Sequence, residues 1–394
     1  MIKFKYMKLD KSIIILLVLS LCHLQIICQV SGSYKTEEYI SVLKNKNVAI
    51  VVNQASLIDN KHLVDTLISR GVNIKRIFSP EHGFLGLHNA GEYVNNSFYN
   101  DTVPIVSLYG KNKKLKSQHL TDIDIVVFDL QDVGVRFYTY ISTLHYVMQG
   151  CARKDIKLIV LDRPNPHMHY VDGPVLEIEQ ASFVGMHPVP IVYGMTIGEY
   201  ALMINGQGWL SDNLICDLHV IKTSIVSRNE IIDISVPPPS PNLRNMNAIY
   251  LYPSLCFFEG TIVSAGRGTD YPFEIYGAPF FTTNFSFIPN ENFGSKNPKF
   301  KNKTCYGYDL RRSPNTTVFN NQQCIQINYL IDAYKNSPLE YRDVFFNTFF
   351  NKLAGNKSFK ESIINNASEE QIRLSWQQDI DDFMIIREKY LLYH

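Results

Sequence analysis

The chain has no excess of charge of either sign: 38 Lys and Arg stand against 37 Asp and Glu, a formal net charge of +1 over 394 residues. That balance gives no electrostatic case for nucleic acid or an anionic lipid surface. Phosphate-cradling loops are missing too. No Gly-x-Gly-x-x-Gly follows the first apolar strand and no Gly-x-x-x-x-Gly-Lys occurs, which argues against a nucleotide-dependent enzyme. Cysteines are few, seven in all, and none stands in a Cys-x-x-Cys or Cys/His pattern, so neither a metal nor any other cofactor is expected. There is no repeat and no low-complexity tract. Past the N-terminus no apolar run reaches the ~20 residues that a membrane span needs. What is present is 45% apolar residues, enough to fill the core of one large α/β unit or of two domains.

The first 32 residues read as a leader. Lys3, Lys5, Lys8 and Lys11 precede an uncharged apolar run from Ile13 to Cys28, and Val30-Ser31-Gly32 offers small residues for cleavage. The expectation is export to the periplasm or the medium, with a retained N-terminal anchor as the alternative. Lipoprotein anchoring has little support, because Leu21 and Ile27 stand before Cys22 and Cys28 where a small residue is wanted. Export leaves Cys151, Cys216, Cys256, Cys305 and Cys324. Cys305 and Cys324 can close a loop in an oxidising compartment or remain buried thiols.

The central pattern is an apolar run that ends in charge. Ile74 to Phe78 leads into Ser79-Pro80-Glu81-His82-Gly83-Phe84. An X-Pro step ends a strand and the glycine allows a sharp turn. Val48 to Val52 ends in Asn53-Gln54, Ile123 to Leu130 in Gln131-Asp132-Val133-Gly134, and Lys157 to Leu161 in Asp162-Arg163-Pro164-Asn165-Pro166. Such runs suit parallel strands buried on both faces. Helix-length amphipathic stretches between them, Lys61 to Arg70 and Tyr140 to Lys154, imply right-handed βαβ units. The expected fold is α/β, with a Rossmann-like parallel-sheet domain over 33–235 and a smaller α/β auxiliary domain over 236–394 that closes the cleft. Val236-Pro237-Pro238-Pro239-Ser240-Pro241 marks the break. Ser368 with Gln371 forms a capping box for a last helix, whose Ile372, Trp376, Ile380, Phe383 and Tyr390 read as core. All the strand ends then face one way, bringing Asn53, Glu81, Asp129, Asp132, Arg136, Asp162 and Arg163 to one rim, where open α/β sheets place ligands.

These segments resemble the peptidoglycan exo-β-N-acetylmuramidases, a glycoside hydrolase family once known only as a domain of unknown function. The resemblance covers residues 40–394. It is carried by Val52-Asn53-Gln54, Ser79 to Phe84, Ala90-Gly91-Glu92, Ser107-Leu108-Tyr109-Gly110 and above all the block Phe128 to Tyr140. Leu161 to Pro166, Asp172-Gly173-Pro174, Gly194 to Glu199, Pro239-Ser240-Pro241-Asn242, Glu259-Gly260-Thr261, Gly266-Arg267-Gly268-Thr269 and Lys352-Leu353-Ala354-Gly355 continue it. Leu85, Ile262 and Ala265 depart from it, standing where the family has Arg, Asn and Glu.

The resemblance implies release of N-acetylmuramic acid from the non-reducing ends of peptidoglycan fragments during wall turnover and recycling. The partners are then wall saccharides, not nucleic acid, and no membrane is involved beyond an N-terminal anchor. A non-catalytic secreted receptor for wall fragments is the alternative. Glycoside cleavage needs an acid for the leaving oxygen and support for the oxocarbenium-like centre. Glu81 is the expected acid, its other role being a helix cap. His82 orients it or binds the sugar. Asp132 or Asp129 is the expected second carboxylate, unless either pairs with Arg136 or Arg163. The lactyl carboxylate of muramic acid favours a forked donor, with Arg163 the first choice, then Arg267, and Arg136 also a candidate. Asn53, Tyr138, Asp162, Asn165 and Glu259 complete the expected binding set.

Overall fold

The computed structural model describes residues 31–88, 92, 97–224, 227–229, 232, 234, 237–311 and 324–394. The expected leader lies outside them except for Ser31 and Gly32, as do Ala90 and Gly91 of the matched segments and Val236 of the Pro-rich break.

The chain enters through the helix Thr36–Leu43 and strand β1 (Asn47–Val52). A small hairpin follows, β2 (Leu57–Ile58) with β3 (Lys61–His62), then the helix Leu63–Ser69 and strands β4 (Asn73–Ser79), β5 (Ser97–Tyr99) and β6 (Val103–Ser107). The chain then returns to the middle of the sheet for β7 (Ile125–Asp129), the helix Tyr140–Ala152, β8 (Lys157–Leu161), the helix Ile197–Gly206 and β9 (Leu218–Ile221). The sheet order is β5-β6-β4-β1-β7-β8-β9. Every pairing is parallel except that of the edge strand β5. Strand order therefore reverses between β1 and β7, and the crevice above their carboxyl ends is where such sheets bind ligands.

The doubly apolar strands are explained by what covers each face. Ala49, Val51, Val126, Phe128, Leu158 and Val160 point into one apolar cluster, and their alternating neighbours Val48, Ile50, Ile125, Val127, Ile159 and Leu161 into a second. The second cluster is closed by the helices Thr36–Leu43 and Leu63–Ser69. The first continues through Leu144 and Met148, then Leu251, Leu255 and Phe257, to Trp376 and Phe383 of the long helix Glu369–Arg387. One core thus runs from the central sheet into the C-terminal half. That half carries its own antiparallel sheet of β10 (Ile275–Ala278), β11 (Phe285–Phe287) and β12 (Cys305–Asp309), in the order β10-β12-β11. The last helix opens on the expected capping box: Ser368 Oγ accepts from Gln371 N and Gln371 Oε1 from Ser368 N.

Polar staples reinforce the shared core. Tyr393 donates its hydroxyl to Asp162 Oδ2 at 2.6 Å, and Arg387 Nη2 donates to the Gly194 carbonyl at 2.6 Å. Arg136 is wholly buried and donates to the carbonyls of Pro174, Val189, Leu353 and Ala354. Burial lowers its pKa to about 9. The described cysteines, Cys305 and Cys324 included, are free thiols. No described helix is long and apolar enough to cross a membrane.

Candidate active site

Beyond β4 the chain turns sharply. The Gly83 N–H donates to the Pro80 carbonyl at 3.0 Å, and both His82 (φ 71°) and Gly83 (φ 77°) take left-handed backbone. Glycine adopts that conformation at no cost, but at His82 it is uncommon. It accompanies an imidazole folded inward. Nδ1 lies 2.8 Å from the His88 carbonyl, which can only accept, so Nδ1 carries the hydrogen. Nε2 then accepts from the Ser240 hydroxyl at 3.2 Å. Burial lowers the His82 pKa and favours the neutral ring. His82 thereby ties the Glu81 turn to the Pro-rich segment.

Glu81 Oε2 accepts a hydrogen bond from the Thr139 hydroxyl at 2.9 Å. Thr139 is the residue just before the helix Tyr140–Ala152, and its hydroxyl makes no capping bond to that helix. Glu81, His82, Thr139 and Ser240 form one side of a cavity of about 490 Å³. Glu259 and Arg267 of the C-terminal half also line it, with Arg267 Nε 3.1 Å from Glu259 Oε1 and the guanidinium 5.2 Å from the Phe273 ring centre. Burial is the largest single influence on Arg267 and opposes its charge, but Glu259 together with Tyr252, Cys256 and Glu81 outweighs it and the pKa is raised. Phe137, Tyr138, Tyr252 and Phe273 make edge-to-face ring contacts in the wall, 4.9–6.2 Å between centres. Tyr109, Phe183 and Lys113 also line the cavity, the lysine ammonium 4.3 Å above the Phe183 ring.

Several residues expected at this rim lie beneath it. Arg163 is 2% exposed and clasps the fully buried Asp129 through Nε–Oδ1 (2.6 Å) and Nη2–Oδ2 (2.9 Å). The fork of this first choice for reading a ligand carboxylate is thus occupied by an internal ion pair. Asp132, the expected second catalytic carboxylate, is also buried away from the cavity. Its Oδ2 takes the Gly134 N–H at 2.8 Å and the Tyr193 hydroxyl, and burial raises its pKa to about 6. Asn53 bonds the Tyr140 hydroxyl and the Ala55 N–H, and Asn165 bonds the Met195 carbonyl and the His167 N–H. Asp162 holds Thr196, Gly198 and Tyr393, and Arg136 sits in its cage of carbonyls. All seven, Asp129 included, bond backbone or buried partners, Asp132 through Oδ2 alone, because the turns after β1, β7 and β8 fold these polar side chains under the loops rather than over the crevice.

Glu81, His82, Tyr138, Glu259 and Arg267 are the expected residues that do line the cavity. Tyr138 meets Tyr140 and Tyr252 ring edge to face, so its ring is packed in the wall. Tyr109, Thr139, Ser240 and Lys352 belong to matched segments but were given no role, whereas Lys113 and Phe183 carried no signal. The three departures lie elsewhere. Leu85 is 63% exposed and borders a separate apolar hollow with Phe84 and Phe98, Ala265 is buried, and Ile262 packs on the core. Among the described residues no group of three or more His, Cys, Asp or Glu could hold a metal ion.

Away from the cavity, buried imidazoles set a pH dependence. His187 Nε2 lies 2.9 Å from His145 Nδ1, and His187 Nδ1 lies 3.0 Å from the Tyr200 hydroxyl. Burial lowers the pKa of His145 and of His167 to about 4, and that of His187 well below its usual value. The unfolded chain takes up these protons as pH falls below ~6.5 and the folded chain does not, so stability is lost from there down to the folded values. Asp132 and Asp162, raised to about 6, act oppositely: the folded chain binds their protons first, which adds stability as pH falls from about 6. The melting temperature should therefore fall between pH 7 and pH 5, at roughly 1.4 kcal/mol per pH unit for each net proton. Asp132→Asn removes one opposing group and should steepen that fall. A fall no steeper than the wild type's would show that Asp132 does not titrate there.

The model for the N-terminal part of exo-beta-N-acetylmuramidase NamZ matches residues 48–247, and the model for its C-terminal part matches residues 250–393. The peptidoglycan beta-N-acetylmuramidase NamZ of Bacillus subtilis (strain 168) is 37% identical over 379 residues, 90% of this chain and 89% of that protein. Crystal structures of two DUF1343 family proteins of Bacteroides fragilis NCTC 9343 superpose on it. One is 43% identical, with a TM-score of 0.84 and coverage of 93% of this chain and 99% of that one. The other is 26% identical, with a TM-score of 0.80 and coverage of 93% and 100%.

Proposed function

The chain belongs to the exo-β-N-acetylmuramidase family that these two models describe, and from that premise we propose that its cavity releases single N-acetylmuramic acid residues from the non-reducing ends of peptidoglycan strands. The observation that carries this reading is the Glu81 carboxyl, held through Oε2 by Thr139 in a cavity whose wall also presents an arginine. With Oε2 held by Thr139, the Glu81 carboxyl acts as the acid: it gives a proton to the glycosidic oxygen as the bond to the anomeric carbon breaks, and water adds to that carbon. His82 holds the turn in place from behind.

The lining carries three cationic residues, Lys113, Arg267 and Lys352, against two carboxylates, Glu81 and Glu259, a balance suited to an anionic sugar. Muramic acid differs from glucosamine by a lactyl ether with a carboxylate. With the Arg163 fork filled, Arg267 is the arginine placed to meet that group. A bidentate contact of this kind contributes about 1.5–3 kcal/mol, roughly ten- to a hundredfold in kcat/KM. Arg267→Lys should reduce the preference for a chromogenic β-N-acetylmuramide over the matching glucosaminide by that factor, since an ammonium has no fork. An unchanged ratio would assign the carboxylate to Lys113 or Lys352.

Cleavage from the chain end predicts monomer from the first time point of a digest of long glycan strands, and early mixed oligomers would overturn the exo reading. Export to the periplasm or medium, with a role in wall recycling, is part of the proposal and rests on the basic and apolar N-terminal sequence. Fractionation of cells expressing the chain with and without residues 1–32 tests it.

A further inference from the structure

With Asp132 buried elsewhere, the second carboxylate of the reaction is unassigned. We infer that Glu259 fills that role, as the fixed negative charge against which positive charge develops at the anomeric carbon, and that Lys299 is the residue that positions it. The inference rests on the muramidase reading above and names a further catalytic group within the same site.

Among the described residues that line the cavity, only Glu81 and Glu259 bear carboxylates. They come from opposite halves of the chain, Glu81 from the turn after β4 and Glu259 from the short turn Cys256–Gly260 that follows the helix Met246–Leu255. A pair of carboxyl groups flanking the scissile bond is the usual equipment of glycoside hydrolysis. The remaining titratable candidate, His82, has both ring nitrogens engaged, by His88 and Ser240. Glu259 Oε1 lies 3.1 Å from Arg267 Nε. That ion pair compensates part of the desolvation of a carboxylate in a half-buried wall.

The turn beneath Glu259 is organised by an unusual group. The Lys299 ammonium is largely buried and donates to the carbonyls of Phe258 (2.6 Å), Glu259 (3.3 Å), Thr261 (2.7 Å) and Val263 (3.2 Å). Its hydrogen bonds go to backbone carbonyls, and the Glu259 charge favours the ammonium against the cost of burial. A buried charge is costly without compensation. Here it gathers four carbonyls that would otherwise diverge and pins the backbone on either side of Glu259. Lys299 is not itself a lining residue; it reaches Glu259 through the backbone of the turn and through its charge.

Glu259→Gln keeps the shape and removes the charge. It should lower kcat on a chromogenic β-N-acetylmuramide roughly 10²–10³-fold with KM changed by less than about threefold. A cationic iminosugar of muramic configuration should lose at least tenfold in affinity for this variant, while the neutral-ring product N-acetylmuramic acid binds as before. Lys299→Met should lower kcat about tenfold on its own and add nothing to Glu259→Gln in the double variant, because two residues acting through one group are not additive. A Glu259→Gln enzyme that keeps more than a tenth of wild-type kcat, or that weakens iminosugar and product alike, would make Glu259 a binding residue and overturn the assignment. Full additivity of the two substitutions, or a Lys299→Met protein whose kcat is unchanged, would overturn the positioning role. Failure of the muramidase reading itself would look different: the wild type would release no muramic acid, whatever the variants do.

Discussion

Glu81→Gln is expected to give a folded protein that still binds muramic acid and hydrolyses its β-glycosides about 10²–10⁴-fold more slowly than the wild type. The substitution preserves size and leaves Thr139 an oxygen to donate to, so the turn and its His82 anchor should persist. What disappears is the proton for the leaving oxygen. The loss should shrink when the leaving group is itself acidic, because a nitrophenolate departs without protonation far more readily than a sugar alcohol. The decisive comparison is therefore kcat on a natural disaccharide against kcat on a nitrophenyl glycoside. An equal loss on both would mean that Glu81 acts by holding the substrate, and a variant with more than about a tenth of wild-type rate on the disaccharide would remove it from the chemistry.

Asp129→Ala is expected to have the largest effect on stability. It leaves the Arg163 guanidinium, 2% exposed, buried without its carboxylate. Removing one partner of a buried pair costs about 3–5 kcal/mol, a large share of the ~5–15 kcal/mol that holds a typical domain. The same reasoning predicts recovery: Asp129→Leu combined with Arg163→Met should regain most of the lost melting temperature, since an apolar pair of similar volume needs no compensation. Arg163→Lys should fall between, keeping charge but losing the two parallel hydrogen bonds. In every variant that folds, the ratio of kcat/KM for muramide over glucosaminide should match the wild type's. A shifted ratio would return Arg163 to the binding surface and contradict its burial.

These two residues show where the sequence was readable. The strands were plain because runs such as Val48 to Val52 are apolar on both faces, and only a sheet covered on both sides wants that. The turn after β4 was plain because Pro80 and Gly83 bracket a carboxylate and an imidazole. Which way a polar side chain points once its strand has ended was not readable. Asp129 closes β7 and Arg163 lies just past β8; the sequence puts both at the crevice, and only the fold turns them toward each other. Asp132, Asp162 and Asn165 failed for the same reason, since a tight turn can aim a polar group at a ligand or at its own backbone with equal economy of sequence. Lys113 and Phe183 were invisible from the other direction. They come from stretches with no periodicity or motif, and meet only through a cation–ring contact between distant loops. Lys299 stands in a Lys- and Asn-rich stretch, and nothing local marks it as a lysine that turns inward.

The core that continues from the central sheet into the last helix has a consequence for how the molecule comes apart. Trp376 and Phe383 complete the same apolar cluster as Val51 and Phe128, and the Arg136 cage and the Tyr393–Asp162 bond fasten the two ends of the chain across it. Neither half has a finished interior of its own. Calorimetry should accordingly record a single melting transition, and limited proteolysis near the Pro-rich segment should yield fragments that stay associated until both melt. Because one apolar cluster spans both parts, a gene encoding either part alone should yield an aggregating chain. A cavity lined from both halves of the chain should then keep its shape up to the single melting transition, with muramic acid raising the melting temperature of the whole molecule at once.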